Sequence, residues 1–251
     1  MSQNKLLSIV LTLFVCLSSG ICNDAAFSKD LRIAVFAPHP DDEVIGCGGS
    51  IVNHIQDGNE VAVVYMTSGD SGNVLYSKEA LADIREKEAK EGAAILGVNN
   101  LTFLRNPDGY LAVNTDNLVR VLSFLREFKP HIVYIPHIDE GHLDHKATNI
   151  IVSNAIGRSS GPWFQEVALP AWSVNTVLEY EVNPPMQEVE YCEDITDVIE
   201  TKIKALEKHG SQIEDIKYHD GVKALNKYRG AISSGYEYAE CFKVKSIKKL
   251  P

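Results

Sequence analysis

Cysteine is sparse and without pattern in this chain of 251 residues. Of its five cysteines, Cys16 and Cys22 fall near the N-terminus, Cys47 lies among glycines, and Cys192 and Cys241 stand in separate segments. With no C-x-x-C pair, a disulfide framework is not indicated. Basic clusters are missing too: the formal net charge is −10, the pI is near 5.3, and Lys and Arg gather only in the last few residues. A surface that tracks phosphates is therefore not expected, and neither is a nucleic-acid partner. No apolar run reaches the about 20 residues needed to span a bilayer. There is no repeat, heptad or low-complexity tract. The sequence also lacks G-x-G-x-x-G after its first strand-like run, and the carboxylates found there instead would repel a pyrophosphate, which disfavours a nicotinamide dehydrogenase.

What is present suits a globular domain. The chain is 45% hydrophobic and 23% charged, enough to bury a full core, and residues 30–251 read as one domain. Residues 1–22 read as a signal peptide: Lys5 precedes the apolar run 6–17, followed by Ser18, Ser19 and Gly20 and then polar Asn23 and Asp24. The expected location is secreted or periplasmic. Ile21 before Cys22 disfavours a lipoprotein, and membrane association is expected only if the leader is retained or lipidated. Asn100-Leu101-Thr102 would be a glycosylation sequon in a eukaryotic host.

The pattern along the chain alternates. Apolar runs at 31–36, 60–67, 101–104 and 131–135 read as buried strands. Between them, helical periodicity is read over 44–55, whose early glycines permit a close neighbouring backbone, and over 78–96, closed by Gly97. A third helix, capped by Thr115 or Asp116, ends before Pro130. A strand is expected over 174–182, and a helix opens at Asp194 or Thr196 and ends at His209-Gly210, with His209 favourable to the helix dipole. A helix over 212–228 and a final helical turn or strand over 236–244 complete the reading. This order predicts an α/β fold, a mostly parallel sheet with helices on both faces.

Two segments carry chemistry. FAPHPDDEVIGCGGSI, residues 36–51, follows the first strand, and PHIDEGHLDHKAT, residues 136–148, follows the fourth. In a parallel sheet both reach the same carboxyl edge, where open α/β folds place ligands. A catalytic zinc takes three ligands from His and Asp/Glu and leaves a place for water, whose pKa falls toward about 7. His39 and Asp42 are two such ligands, and His142 or His145 would be the third. Asp41 could act as general base, the spare imidazole could stabilise an oxyanion, and Asp144 could set the tautomer of a histidine. Taken alone, Asp-Asp-Glu at a helix start is as easily a cap, and Glu43 is left in that role.

His39-Pro40-Asp41-Asp42-Glu43, preceded by Ala37-Pro38 and followed by Gly46-Cys47-Gly48-Gly49, together with His142-Leu143-Asp144-His145, resembles the PIG-L/LmbE-like zinc-dependent N-deacetylases. These include the enzymes of mycothiol and bacillithiol synthesis and of the glycosylphosphatidylinositol pathway. Supporting blocks are Thr67-Ser68-Gly69, residues 85–88, Leu96-Gly97-Val98, Pro107-Asp108-Gly109, Arg229-Gly230 and Tyr238-Ala239-Glu240. The resemblance implies a Rossmann-like fold, metal ligation by His39, Asp42 and His145, and Asp41 as general base. It implies also that His142 faces the carbonyl, oriented by Asp144, and that Arg85 and Asp108 contact sugar hydroxyls. Leu143 replaces a usual proline, and Glu140 stands where some members carry an assisting tyrosine.

The function expected from these residues is hydrolysis of the acetamide of an N-acetylated sugar or glycoconjugate of N-acetylglucosamine type, with Zn2+ or alternatively Fe2+. Hydrolysis of another amide, or a non-catalytic metal- or glycan-binding module, are the alternative readings.

Overall fold

The computed structural model describes residues 30–214 and 216–248. The leader expected over 1–22 lies outside them. In chain order the elements are β1 (Arg32–Ala37), α1 (Asp42–Gln56), β2 (Glu60–Thr67), α2 (Lys78–Leu96), β3 (Asn100–Asn106), α3 (Thr115–Phe128), β4 (Ile132–Pro136) and α4 (Leu143–Ser159). There follow β5 (Thr176–Tyr180), β6 (Tyr191–Asp194), α5 (Ile199–Leu206), the short α6 (Gly210–Ile213), α7 (Tyr218–Tyr228), a π-helical turn (Arg229–Ser234) and β7 (Ala239–Ile247).

The strands form one seven-stranded sheet in the order β3-β2-β1-β4-β5-β7-β6. The first five are parallel, and β7 runs antiparallel to both β5 and β6. Alternation along β1 explains the layers. Ile33, Val35 and Ala37 enter a core shared with α1, α2 and α5, while Ala34 and Phe36 enter a second core shared with α3 and α4. Helices thus cover both faces, and the nearly continuous apolar strands follow from burial on both sides. The order reverses between β1 and β4, so a crevice opens at their carboxyl ends.

β2 and α2 match the segments read from the sequence, with Ser77 capping α2 and Gly97 closing it in the left-handed conformation. Elsewhere the structure corrects the reading. Asn114, not Thr115 or Asp116, caps α3, its side chain accepting from Asn117 N. β6 ends at Asp194, and the helix expected to open at Asp194 or Thr196 begins only at Ile199. The helix expected over 212–228 is divided into α6 and α7.

Cysteine is a further correction: Cys192 and Cys241 face each other across the β6/β7 pair and are joined in a disulfide. They are 49 residues apart, so only the strand register reveals the pairing.

α1 is broken at Cys47, whose φ of −148° and ψ of 23° are not helical. A buried ion pair fills the break. Glu240 accepts from Gly49 N at 2.8 Å and Ser50 N at 2.7 Å, while Lys202 Nζ donates to the Ile45 carbonyl at 2.8 Å and to Glu240 at 2.6 Å. Backbone groups that the break would orphan are thereby satisfied. The close neighbours of the early glycines are side chains rather than backbone: a Cβ on Gly46 would lie 2.2 Å from the Tyr180 ring, whose hydroxyl donates to the Phe36 carbonyl.

Candidate active site

The turn after β1 is pinned from both sides. Thr67, at the end of β2, donates from its backbone N and its hydroxyl to the Pro38 carbonyl, at 3.0 and 2.8 Å. Asp42 Oδ2 then accepts from His39 N at 2.9 Å and lies 3.1 Å from His39 Nδ1. His145, in the first turn of α4, brings Nε2 to 3.3 Å from His39 Nδ1 and 3.3 Å from Asp42 Oδ2. Three donor atoms from two segments more than a hundred residues apart therefore form a nearly equilateral triangle.

Its size bears on what it can hold. Ligands at 2.0–2.2 Å from a tetrahedral zinc are separated from each other by roughly 3.3–3.6 Å, close to the 3.1, 3.3 and 3.3 Å of this triangle. The surrounding charge agrees with a cation. On the far side of the His39 ring, Nε2 lies 3.0 Å from Asp108 Oδ1 and 3.3 Å from Asp144 Oδ2. Burial alone would make both ligand imidazoles less basic, but the facing carboxylates hold His39 well above its usual range and raise His145 to about 9. The donor set thus attracts positive charge and fits a divalent metal. His39 with Asp108 and Asp144 follows the pattern in which a carboxylate fixes the ring of a metal-binding histidine.

This placement changes the expected roles of two residues. Asp144 does not turn its carboxylate to His142. It faces His39 and accepts from Gly109 N at 2.7 Å and Leu111 N at 3.1 Å. His142 is instead oriented by the helix start: it is the N-cap of α4, and its Nδ1 accepts from Asp144 N at 3.2 Å. The ring proton then resides on Nε2, free to donate. Partial burial, followed by the neighbouring His39 and His145, lowers the His142 pKa, which favours the neutral imidazole. Asp108 is as much a partner of His39 as a lining residue. Although burial opposes ionisation, the hydrogen bond from His39 brings its carboxyl to about 2.

Asp41 occupies a strained position, with φ of 130° and ψ of −27° just before α1. Such a backbone persists only where its surroundings over-determine it. Asp41 N donates to Glu43 Oε2 at 3.1 Å, so Glu43 does make the capping contact expected of it, while also accepting from the Tyr65 hydroxyl at 2.7 Å. Arg85 supplies the other restraint: Nη2 donates to the Pro40 carbonyl at 2.6 Å and lies 3.0 Å from Asp41 Oδ2, and Nη1 donates to the Gly69 carbonyl. A Cβ on Gly69 would sit 2.5 Å from that guanidinium, at a φ of 63°, so both the contact and the backbone require glycine there. Burial raises the Asp41 carboxyl to about 7, against the pull of Arg85. Arg85, expected at a sugar hydroxyl, is 3% exposed and directs Nη1 and Nη2 to the turn and to Asp41, leaving Nε buried without a partner.

Glu140 is the residue sequence reasoning undervalued. It is buried, accepts from Val182 N at 3.2 Å and Asn183 N at 3.0 Å, and places Oε2 3.5 Å from His145 Nδ1, a buried nitrogen with no other partner. Leu143 is 72% exposed and touches none of this, which explains why a proline can be replaced there. His39, Asp41, Asp42, Arg85, Asp108, His142 and His145 line one cleft of about 400 Å3, with Asp144 behind its wall. Gln212 and Tyr218, from α6 and α7, close the cleft on the far side. No motif marked them.

The sequence model of the family described as PIG-L, GlcNAc-PI de-N-acetylase, matches residues 34–156. Diacetylchitobiose deacetylase of Thermococcus kodakarensis is 30% identical over 226 residues, covering 85% of this chain and 83% of its own. A 1D-myo-inositol 2-acetamido-2-deoxy-alpha-D-glucopyranoside deacetylase of Rhodococcus jostii is 24% identical, covering 74% of this chain and 82% of its own. Among solved structures, N,N'-diacetylchitobiose deacetylase from Pyrococcus horikoshii, complexed with an inhibitor, superposes with a TM-score of 0.83 at 28% identity, over 97% of this chain and 93% of its own.

Proposed function

The chain belongs to the PIG-L family and is a metal-dependent N-deacetylase, and on that premise we propose that it hydrolyses the acetamide of an N-acetylglucosamine-type sugar or glycoconjugate with zinc as its working metal. The observation that carries this reading is the convergence of the His39, Asp42 and His145 triangle with Asp41 and His142 in one cleft.

His39, Asp42 and His145 would hold a divalent metal, which would supply Lewis-acid character and make water in the cleft more acidic. Asp41, poised near pH 7 by burial, accepts the proton of the attacking water. His142 donates from Nε2 to the oxygen of the carbonyl as charge develops there. The proton taken by Asp41 then leaves with the amine, giving acetate and a free amino sugar. Arg85 keeps Asp41 in place, while Asp108 and Asp144 fix the His39 ring.

The test is acetate release from a panel of N-acetylated sugars by protein stripped of metal and reloaded with Zn2+ or Fe2+. Release that depends on metal, and is fastest with zinc, is expected. No release from any sugar would contradict the reading, and faster release with iron would reassign the metal.

Location belongs to the same proposal. Export through residues 1–22 is supported by the Cys192–Cys241 disulfide, since disulfides persist in oxidising compartments. N-terminal sequencing of the mature protein tests it, and an intact Met1 in the cytoplasm would refute it.

A further inference from the structure

The catalytic cleft does not end at Tyr218. Beyond it lies a second cavity of about 320 Å3, and Ile45, Val182, Asn183 and Tyr218 line both spaces. The character of the wall changes across that boundary. The cleft gathers imidazoles and carboxylates, whereas the second cavity is faced by Ile45, Val182, Pro185, Ile216, Val222 and Leu225.

The buried polar side chains in its wall are already engaged, while Asn183 and Lys217 stand exposed at its edge. Arg229 donates to Glu181 at 2.9 and 2.7 Å, and Lys202 donates to Glu240 at 2.6 Å and to Asn226 at 2.8 Å. Groups paired in this way offer little to a polar ligand, and a sugar hydroxyl reaching the buried part of the wall would lose water without gaining a partner. An apolar group would gain. The volume corresponds to on the order of ten water-sized units of about 30 Å3, enough for a medium alkyl chain or an aromatic ring.

We propose that this cavity is a binding site for an apolar aglycone, so that the preferred substrate is an N-acetylated amino sugar whose glycosidic oxygen carries an alkyl or aryl group. The proposal rests on the deacetylase reading of the adjoining cleft. The occupant is assigned to the aglycone rather than to the acyl group because the family description and the relatives share the removed acetyl. What varies among their names is the group attached to the sugar: PI, a second sugar unit, or inositol.

The structure also supplies a variant that closes the cavity without disturbing the cleft. Gly221 lies on α7 in the cavity wall, and a Cβ there meets no atom within 4 Å. Gly221→Trp can therefore place a large side chain at the cavity wall with no clash at its first atom. Ile216, at the rim and 52% exposed, allows a second variant, Ile216→Asp, which adds a charge without burying it in the core.

The experiment compares kcat/KM for acetate release from N-acetylglucosamine and octyl N-acetylglucosaminide, and for acyl release from N-octanoylglucosamine. At about 0.8 kcal/mol per buried methylene, and a factor of ten per about 1.4 kcal/mol, octyl N-acetylglucosaminide should exceed N-acetylglucosamine by at least about tenfold. Gly221→Trp should erase that advantage and leave N-acetylglucosamine turnover unchanged, and Ile216→Asp should reduce it. Equal rates for the two acetylated sugars, an advantage that survives both variants, or a preference that instead follows the octanoyl chain would overturn the assignment. Release of acetate from neither acetylated sugar would defeat the deacetylase reading, and this proposal with it.

Discussion

Nη2 of Arg85 lies 3.0 Å from Oδ2 of Asp41 and donates to the Pro40 carbonyl at 2.6 Å, so one guanidinium holds both the carboxylate and the turn that presents it. Its charge opposes the rise that burial imposes on Asp41, which reaches about 7. Asp41 works as a base only when deprotonated, so activity should fall as pH drops through that value. Arg85→Gln removes the opposing charge and raises the Asp41 pKa further. The acid limb of kcat against pH should move up by about one unit, with roughly fivefold lower kcat at pH 7. A raised KM with an unmoved limb would instead make Arg85 a substrate contact.

Asp108 offers a similar separation of roles. Its Oδ1 lies 3.0 Å from His39 Nε2, on the side of the ring away from Asp42. Asp108→Asn should weaken metal affinity by about 10–100-fold, as measured by competition with a chelator. Unchanged metal affinity with a higher KM would show that its contact with sugar is the one that matters.

His209 provides a stability test away from the chemistry. Read from the sequence as a helix-end residue favourable to the dipole, it is fully buried beside α2, and neither ring nitrogen has a protein partner. Burial, followed by the charge of Arg85, lowers its pKa to about 3. The unfolded chain takes up a proton near its usual pKa of about 6.5, while the folded chain does not until far lower pH. Folding stability should therefore fall as pH drops from about 6.5 toward about 3, by up to about 1.4 kcal/mol per unit from this residue. His209→Leu should flatten that part of the denaturation curve. An equal slope in both proteins would remove His209 from the account.

Much of the fold was legible because its signals are local. The apolar run of β2 and the capped periodicity of α2 each contain their own boundaries, so both were read to the residue. β6 has four residues and no apolar run, and the partner that makes it a strand, β7, lies far along the chain. The same distance hid the Cys192–Cys241 disulfide. At the site, ligand-type residues stood out because they sit on two turns after strands. Their supports did not, because contacts such as Asp144 to His39 and Glu140 to His145 depend on how the turns face each other. Spacing along the chain does not encode that.

Asp41 is the residue on which the hydrolysis turns. Asp41→Asn keeps the side-chain shape but cannot accept the proton, and it leaves His39, Asp42 and His145 in place. Zinc content by elemental analysis, measured together with kcat for acetate release, should show metal retained at the wild-type ratio and turnover reduced by about 10²–10⁴-fold. Near wild-type turnover with zinc bound would contradict the central claim that this carboxylate is the base.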